Sequence, residues 1–309
     1  MWRVVVRKRE IVGLAAVAAA ALIFSFAAPS FGQNAGAQGT GQGIIPPPPG
    51  QNPGQQGQFG QGKGKGKARP PSRPTPHGPD GHVLLGPLPG EGGVWNGNAG
   101  ATIATNVGRG LDNNRVNLPT NLKIPDVPFQ DWARALYDSR QANNTADDPH
   151  VRCKSSGGPR LYHTPYGFEI VDIPELERIY VMGVGGPHTW RVIYMDGRQR
   201  PTDIDPSFHG YSIGHWEGEK LVVESTNFNQ RFWLSREGIP HTEYLKLTET
   251  FERPEYDTLR YIATIDDPGA YTKPWSGGWA IPWNPNDEMY EYVCQENNRD
   301  AKHMYRGEQ

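Results

Sequence analysis

A carboxylate in the middle of an apolar strand is the first candidate for chemistry in this sequence. Side chains alternate across a strand, so Glu249 shares one face with Leu247 and Phe251. Burial among apolar neighbours would raise the pKa of Glu249 and suit it to a general acid or base role. The alternative is structural, a buried glutamate held by Arg253 or by another inward arginine.

The segment PHTEY, just before this strand, supplies a second pair of candidates. His241 could act as a base that the carboxylate of Glu243 orients, or both could form a polar rim. The next strand places Tyr261 and Asp267 on the same face as Glu249. We therefore take His241, Glu243 and Glu249 as the candidate catalytic residues.

Aromatic and cationic side chains suggest a ligand site. The segment TKPWSGGWAIPW spaces its tryptophans with Gly and Pro, which predicts a loop. Tryptophans on a loop at a barrel mouth suit a flat apolar ligand or a sugar ring, and plugs that close a barrel end fit equally well. In the turn YMDGR, an arginine could meet an acidic ligand or simply pair within the turn. The candidate ligand-binding residues are Arg198, Trp216, Arg253, Tyr261, Asp267, Trp275 and Trp279.

Several familiar motifs are absent from the sequence. There is no HxH, HExxH or Cys/His cluster, so we predict no metal site. There is also no GxSxG, P-loop or dinucleotide-binding GxGxxG. We therefore predict no cofactor, and the oligomeric state stays open.

The elements that would position these residues are mostly strands. The segment 128–143 has helical spacing of Trp132, Ala135 and Leu136, which predicts one amphipathic helix of about fourteen residues. Period-two runs rich in Val, Ile, Thr and aromatics then predict eight strands, at 167–173, 178–184, 189–195, 211–216, 220–226, 244–253, 258–265 and 288–294. The fold class is all-β and mainly antiparallel: a calycin-like barrel or a strongly curved meander sheet with one N-terminal helix.

Two hairpins have a predictable register if neither contains a bulge. EGEK (217–220) joins two strands with Trp216–Leu221, Gly214–Val223 and Ser212–Ser225 as partners. The segment 254–258 joins the next two with Arg253–Leu259, Phe251–Tyr261, Glu249–Ala263, Leu247–Ile265 and Leu245–Asp267 as partners. A small Ala263 opposite Glu249 would leave ligand space beside the carboxylate.

The N-terminus has the pattern of a signal peptide over 1–32. Arg3, Arg7, Lys8 and Arg9 precede an apolar run, and cleavage is predicted after Gly32; a retained membrane anchor is the alternative. We therefore expect a periplasmic or secreted protein.

Composition divides the remaining chain. Residues 33–80 are a Gly/Gln/Pro-rich tail, predicted to be disordered, and 81–124 an irregular linker. A β-rich domain over 125–300 and a C-terminal tail over 301–309 follow. The basic run at 63–73 could contact the envelope or a polysaccharide, or be a solvated linker. Beyond this tail the chain is acidic, so nucleic acid is not expected as a partner.

Cysteine use agrees with export. The two cysteines, Cys153 and Cys294, predict one disulfide that ties the start of the folded region to its end. Two free thiols in a reactive site are the alternative, although no CxxC spacing is present.

Several phrases together resemble a broad family of exported bacterial proteins of unassigned function. They are RVIYMDGR, GYSIGHWEGEKLVVEST, PHTEYLKLTETFER, IDDPGAYTKPW and EYVCQENN, against a family pattern of WEGDTLVV, HTE, DDP–TKPW and C-E-N. The resemblance covers about 125–300 and implies an exported β-rich domain without an assigned activity. Arg200 and Tyr211 stand where the family has His, and Glu219–Lys220 where it has Asp–Thr. These departures weaken mechanisms based on histidines near 200–211 and favour His241 and Glu243.

Three functions fit these observations. The first is an exported barrel that binds a small hydrophobic or aromatic ligand in an aromatic-lined cavity. The second is a metal-independent hydrolase, lyase or isomerase that uses His/Glu acid–base chemistry. The third is a structural protein of the envelope, tethered by its tail.

Overall fold

The computed structural model describes residues 72–97, 102–105, 118, 120–185 and 189–294. The predicted signal peptide, most of the 33–80 tail and the 301–309 tail lie outside the described residues. No helix among the described residues is long and apolar enough to span a membrane.

Nine strands form a closed barrel in which each strand pairs with its neighbours in chain order. They are β1 (Val94–Trp95), β2 (Phe168–Ile173), β3 (Arg178–Gly183), β4 (Trp190–Tyr194), β5 (Tyr211–Glu217), β6 (Lys220–Thr226), β7 (Lys246–Glu255), β8 (Thr258–Asp266) and β9 (Trp275–Asn284). All pairs are antiparallel except β4–β5, which pairs in parallel through two residues on each strand. The predicted all-β barrel is confirmed.

Seven of the eight predicted strands are present, but the eighth is wrong. Residues 288–294 form no strand, and two of their apolar side chains, Tyr290 and Val293, are exposed, Val293 to 70%. The last strand is instead β9, in the segment predicted to be a loop. Gly277 is required there because its inward position meets the backbone of Ile103: a Cβ would lie 2.2 Å from that carbonyl oxygen.

The barrel closes through a strand in the segment predicted to be an irregular linker. β1 pairs with β2 through Trp95–Phe168 and with β9 through Trp95–Trp283. Trp95 is fully buried, and its indole N–H donates to the Leu85 carbonyl over 2.6 Å. With only two residues, β1 is too short to show a period, so the sequence pattern does not reveal it.

The predicted registers hold over most of their length. Trp216 lies opposite Leu221, and Glu249 opposite Ala263, as expected. The predicted Arg253–Leu259 pair is wrong because a bulge shifts the register between Glu252 and Glu255. Pro254 lies in this interval, where its missing N–H cannot continue the ladder. The β7–β8 ladder begins at Lys246–Asp266, so the predicted Leu245–Asp267 pair lies beyond it.

The predicted helix is present as α1 (Asp131–Ala142), but it buries a different face. Ala133 and Tyr137 are buried, whereas Trp132 is 45% exposed. The Trp132 indole N–H donates to the Gly269 carbonyl, which explains why this half-exposed side chain lies at the edge of the contact between α1 and the turn after β8. The described residues also include four 3₁₀ helices: Ile124–Asp126, Pro149–Arg152, Gly158–His163 and Pro174–Leu176.

The predicted disulfide is confirmed. Cys153, just after the second 3₁₀ helix, is bonded to Cys294, with a Cα–Cα distance of 5.6 Å. The bond fixes the C-terminal segment beyond β9 to the region between α1 and β2.

Candidate functional site

Glu249 lies inside the barrel in an ion pair with Arg191. Its side chain is fully buried, and Arg191 Nη2 donates to its Oε2. The Tyr261 hydroxyl donates to Oε1 over 2.8 Å. The carboxylate is therefore held by an inward arginine, as in the structural alternative, although that arginine is Arg191 and not Arg253.

Arg191 extends this contact into a network. Its Nε donates to Ser212 Oγ (2.9 Å), its Nη2 also to Ser225 Oγ (2.7 Å), and its Nη1 to the Tyr162 hydroxyl (2.7 Å). Burial acts most strongly and lowers the pKa of Arg191, but the charge of Glu249, its hydrogen bond and the neighbouring Tyr162 and Tyr261 together outweigh burial and raise the pKa. The guanidinium keeps its charge, and the network is a paired, hydrogen-bonded core.

Tyr162 lies inside the barrel beside the Glu249–Arg191 pair. It enters the barrel from the 3₁₀ helix Gly158–His163, and its ring centroid lies 4.7 Å from that of Tyr261 and 5.3 Å from that of Phe251. An element outside the barrel strands therefore packs an aromatic ring close to the carboxylate beside which the sequence predicts ligand space.

His241 and Glu243 occupy different environments. His241 is buried, with Nε2 3.1 Å from the Phe232 carbonyl oxygen and Nδ1 3.1 Å from that of Thr242. Burial lowers the pKa of His241. Glu243 is exposed and accepts a hydrogen bond from Gln230. No hydrogen bond joins these two side chains, so the structure does not bring the predicted pair together.

Asp267 serves the turn after β8. It accepts from the backbone N–H and the hydroxyl of Thr242, both over 2.6 Å, and from the N–H of Gly269. These contacts hold the residues just before β7 against the end of β8.

Arg253 lies against the segment that precedes β1. Its Nη1 donates to the carbonyls of Leu84 (2.6 Å) and Gly86 (2.8 Å), and its Nε to that of Tyr256 (2.8 Å). Burial lowers its pKa to about 10. The side chain holds residues 84–86 across the barrel end near the β7–β8 turn.

Two further predicted ligand residues are occupied by local contacts. Trp216 stacks on His82, with ring centroids 4.9 Å apart. Arg198 pairs with Asp196 in its own turn and lies over the ring of Tyr194. Arg198 therefore pairs within its own turn, which is the alternative to a ligand-binding role.

The tryptophans of β9 pack into the core. The Trp279 ring contacts Tyr261 (4.9 Å between centroids) and His163 (5.5 Å), and Trp275 contacts Tyr271 (5.4 Å). Both tryptophans are buried, as in the alternative of aromatic plugs.

A cavity of about 620 Å³ lies instead between the end of α1, two 3₁₀ helices and the loop before β7. We call it the His150 cavity. It is lined by Gln141, Asn144, Thr145, Asp148, His150, Val151, Arg160, His163, Thr164, Pro165, Tyr166, Arg236 and Glu237. None of the predicted catalytic or ligand-binding residues is among them.

His150 is held in one orientation within this cavity. Its Nδ1 lies 2.8 Å from the hydroxyl of Ser156, and its backbone N–H donates to Asp148 Oδ1, which caps the 3₁₀ helix Pro149–Arg152. Burial, and next the charge of Arg160, lower the pKa of His150 to about 4. The imidazole is therefore neutral at pH 7.

A second buried ion pair forms the floor beside His150. Arg160 Nη1 donates to Asp148 Oδ1 over 2.8 Å, and Nη2 donates to Oδ2 at 2.5 Å. This bidentate geometry fixes both side chains and links the two 3₁₀ helices around the cavity.

The cavity wall includes strained backbone. Asn144 and Thr145 have φ angles of 48° and 56°, in the left-handed region. Such a conformation is unusual for β-branched Thr and persists where surrounding structure enforces it, commonly near functional sites.

The sequence offers only a weak signal for this cavity. DDPH at 147–150 is a helix N-cap pattern, and the partners of His150 come from the separate segments 156–166 and 236–237. No spacing rule connects them, because 3₁₀ turns and loops rather than strand alternation bring them together.

Among the described residues, no group of three or more His, Cys, Asp or Glu side chains is placed to hold a metal ion. Comparison with protein-family models, curated proteins and solved structures finds no match. The resemblance to a family of exported proteins therefore stays a prediction.

Proposed function

We propose that this protein is an exported β-barrel that binds a small organic ligand in the His150 cavity. The observation that carries the proposal is the cavity itself, whose volume of about 620 Å³ lies in the range typical of small-molecule sites. The disulfide and the signal-peptide pattern support a periplasmic or secreted location.

The lining suits a ligand that has both a ring and a polar group. Tyr166, Val151 and Pro165 offer apolar surface, whereas His150 and Arg236 offer hydrogen bonds. The proposed ligand is therefore still a hydrophobic or aromatic molecule, but its site lies beside the barrel and not in the barrel interior.

Tryptophan fluorescence provides the test. Trp279 contacts His163, which lines the cavity, so its emission should respond to a bound ring. We expect saturable quenching by some members of a panel of phenolics, aromatic acids, lipids and sugars. Val151→Trp should fill the cavity and abolish binding, and the matched control Val293→Trp, at an exposed site, should not. A panel without any binder would overturn the proposal.

A second function is favoured by one observation, the neutral and oriented imidazole of His150. A neutral imidazole that donates from Nδ1 to the Ser156 hydroxyl has a free lone pair on Nε2. That nitrogen can act as a general base towards a ligand in the cavity. Under this metal-independent hydrolase, lyase or isomerase hypothesis, His150→Gln should lose turnover of an ester or lactone panel while ligand binding persists. Loss of both together would favour the binding protein.

A further inference from the structure

Two of the charges around the His150 cavity are paired within its wall, because Arg160 and Asp148 form a buried ion pair with one another. Glu237 also lines the cavity, and its carboxylate accepts a hydrogen bond from the Thr102 hydroxyl over 3.0 Å. Neither Arg160 nor Asp148 therefore offers a full charge to a ligand.

Arg236, unlike Arg160, has no such carboxylate partner in the described part of the chain. Its side chain lines the cavity, and among the residues that the structure describes no carboxylate forms an ion pair with it. It lies close enough to His150 for its positive charge to disfavour the protonated imidazole. An exposed guanidinium at the edge of a cavity has donors in a fork that fits a carboxylate or a phosphate.

We infer that the ligand of the His150 cavity carries an oxyanion, a carboxylate or a phosphate, which pairs with Arg236. The inference rests on the proposed function, because it names the ligand class of the same site. In the tautomer in which Ser156 donates to Nδ1, the neutral His150 ring carries its proton on Nε2 and can donate it to such a group. The Tyr166 ring lines the same cavity and can contact the apolar part of the ligand.

Three probes of similar shape separate the contributions of charge and ring. Benzoate and phenyl phosphate carry the two oxyanions, and benzamide is the neutral counterpart of benzoate. Isothermal titration calorimetry on the full chain should detect binding of at least one anion and weaker binding of benzamide. The tighter of the two anions identifies the source of the oxyanion.

Variants of Arg236 assign the effect to one side chain. Arg236→Gln should weaken anion binding by roughly ten- to a hundredfold, the effect of losing a charge-assisted hydrogen bond, and leave benzamide unchanged. Arg236→Lys should recover part of the affinity because the charge returns without the fork. Arg231→Gln removes an exposed arginine outside the cavity wall and should change nothing.

The outcomes separate this inference from the proposed function. If benzamide, or a neutral member of the wider panel, binds as tightly as the anions and Arg236→Gln binds like the wild type, the oxyanion is wrong and the ligand site stands. If no compound binds, the ligand site itself is wrong.

Discussion

At the scale of single residues, Glu249 shows how one position can fit both a catalytic and a structural role. Its place on an apolar strand face is predictable from alternation, but its partner is not. Arg191 lies 58 positions away on a different strand, and a lone sequence does not reveal which inward arginine approaches. Because this ion pair is fully buried, we infer that Glu249 contributes to the stability of the fold.

Glu249→Gln should therefore destabilise the fold. The change leaves the buried guanidinium of Arg191 without its counter-charge, which typically costs about 3–5 kcal/mol. Chemical denaturation followed by circular dichroism measures the free energy of unfolding. Glu243→Gln, at an exposed position, should stay within about 0.5 kcal/mol of the wild type. An unchanged stability for Glu249→Gln together with lost activity would restore the catalytic interpretation.

His150 should make the stability depend on pH. Its pKa is about 4 in the folded protein, against an ordinary value of 6.5, and burial is the main cause. Above pH 6.5 the ring is neutral in both states, and its full contribution is present. As the pH falls from about 6.5 to about 4, the unfolded chain takes up a proton that the folded chain does not. The free energy of unfolding therefore decreases, by up to about 3 kcal/mol from this group.

His150→Gln is the matched variant for this effect, because glutamine cannot titrate. Denaturation at pH 7.5 and pH 4.5 should show a smaller loss of stability for the variant than for the wild type. His209 and His241, whose pKa values are also lowered by burial, remain in both proteins and cancel in the difference. An identical pH dependence in the two proteins would contradict the depressed pKa of His150.

At the scale of elements, the alternation of apolar and polar side chains predicts seven of the strands. It does so because each of these strands buries one face and makes polar contacts on the other. It misses β9 because two glycines and two prolines in and just before that strand resemble loop punctuation, although Trp275, Trp279 and Trp283 all fall on its inward face. The signal that could have revealed β9 is this four-residue spacing, a multiple of the strand period of two.

The His150 cavity is missed for a different physical reason. Its wall consists of the end of α1, two short 3₁₀ helices and a loop, whose side chains follow no long period. The segment 144–166 acquires its shape from the local cap by Asp148 and from two tertiary interactions, the Asp148–Arg160 pair and the disulfide at Cys153. Of the two tertiary interactions, only the disulfide is predictable from the sequence.

Gly277→Ala should test the placement of β9. The added methyl would meet the Ile103 carbonyl oxygen at 2.2 Å, a backbone atom that cannot move aside without shifting the segment. We expect a loss of about 1–3 kcal/mol in the free energy of unfolding. Gly92→Ala is the control, because its nearest contact would be an ordinary 3.6 Å to a flexible glutamate. Equal stability of the two variants would show that β9 does not approach residue 103 as described.

At the scale of the whole molecule, the disulfide joins two parts of the chain that no strand ladder connects. Cys153 precedes β2, and Cys294 follows β9, so the bond holds the C-terminal segment beside the region that forms the His150 cavity. Tyr292 packs against the cavity residue Tyr166, with ring centroids 5.0 Å apart. The covalent link therefore contributes both to global stability and to one wall of the candidate site.

Replacing both cysteines with serine separates these two contributions. In the chain-entropy model, a bond that closes a loop of 141 residues stabilises the fold by roughly 4–5 kcal/mol, mainly by restricting the unfolded chain. The variant should therefore lose several kcal/mol in denaturant unfolding, with a steeper dependence on denaturant because its unfolded state is more expanded. Under native conditions the barrel should persist, because its strand ladder does not include either cysteine. Ligand affinity should fall only if the Tyr292–Tyr166 contact is lost, and Tyr292→Ala in the oxidised protein measures that part alone. A serine variant as stable as the wild type would show that the bond adds no restraint on the unfolded chain.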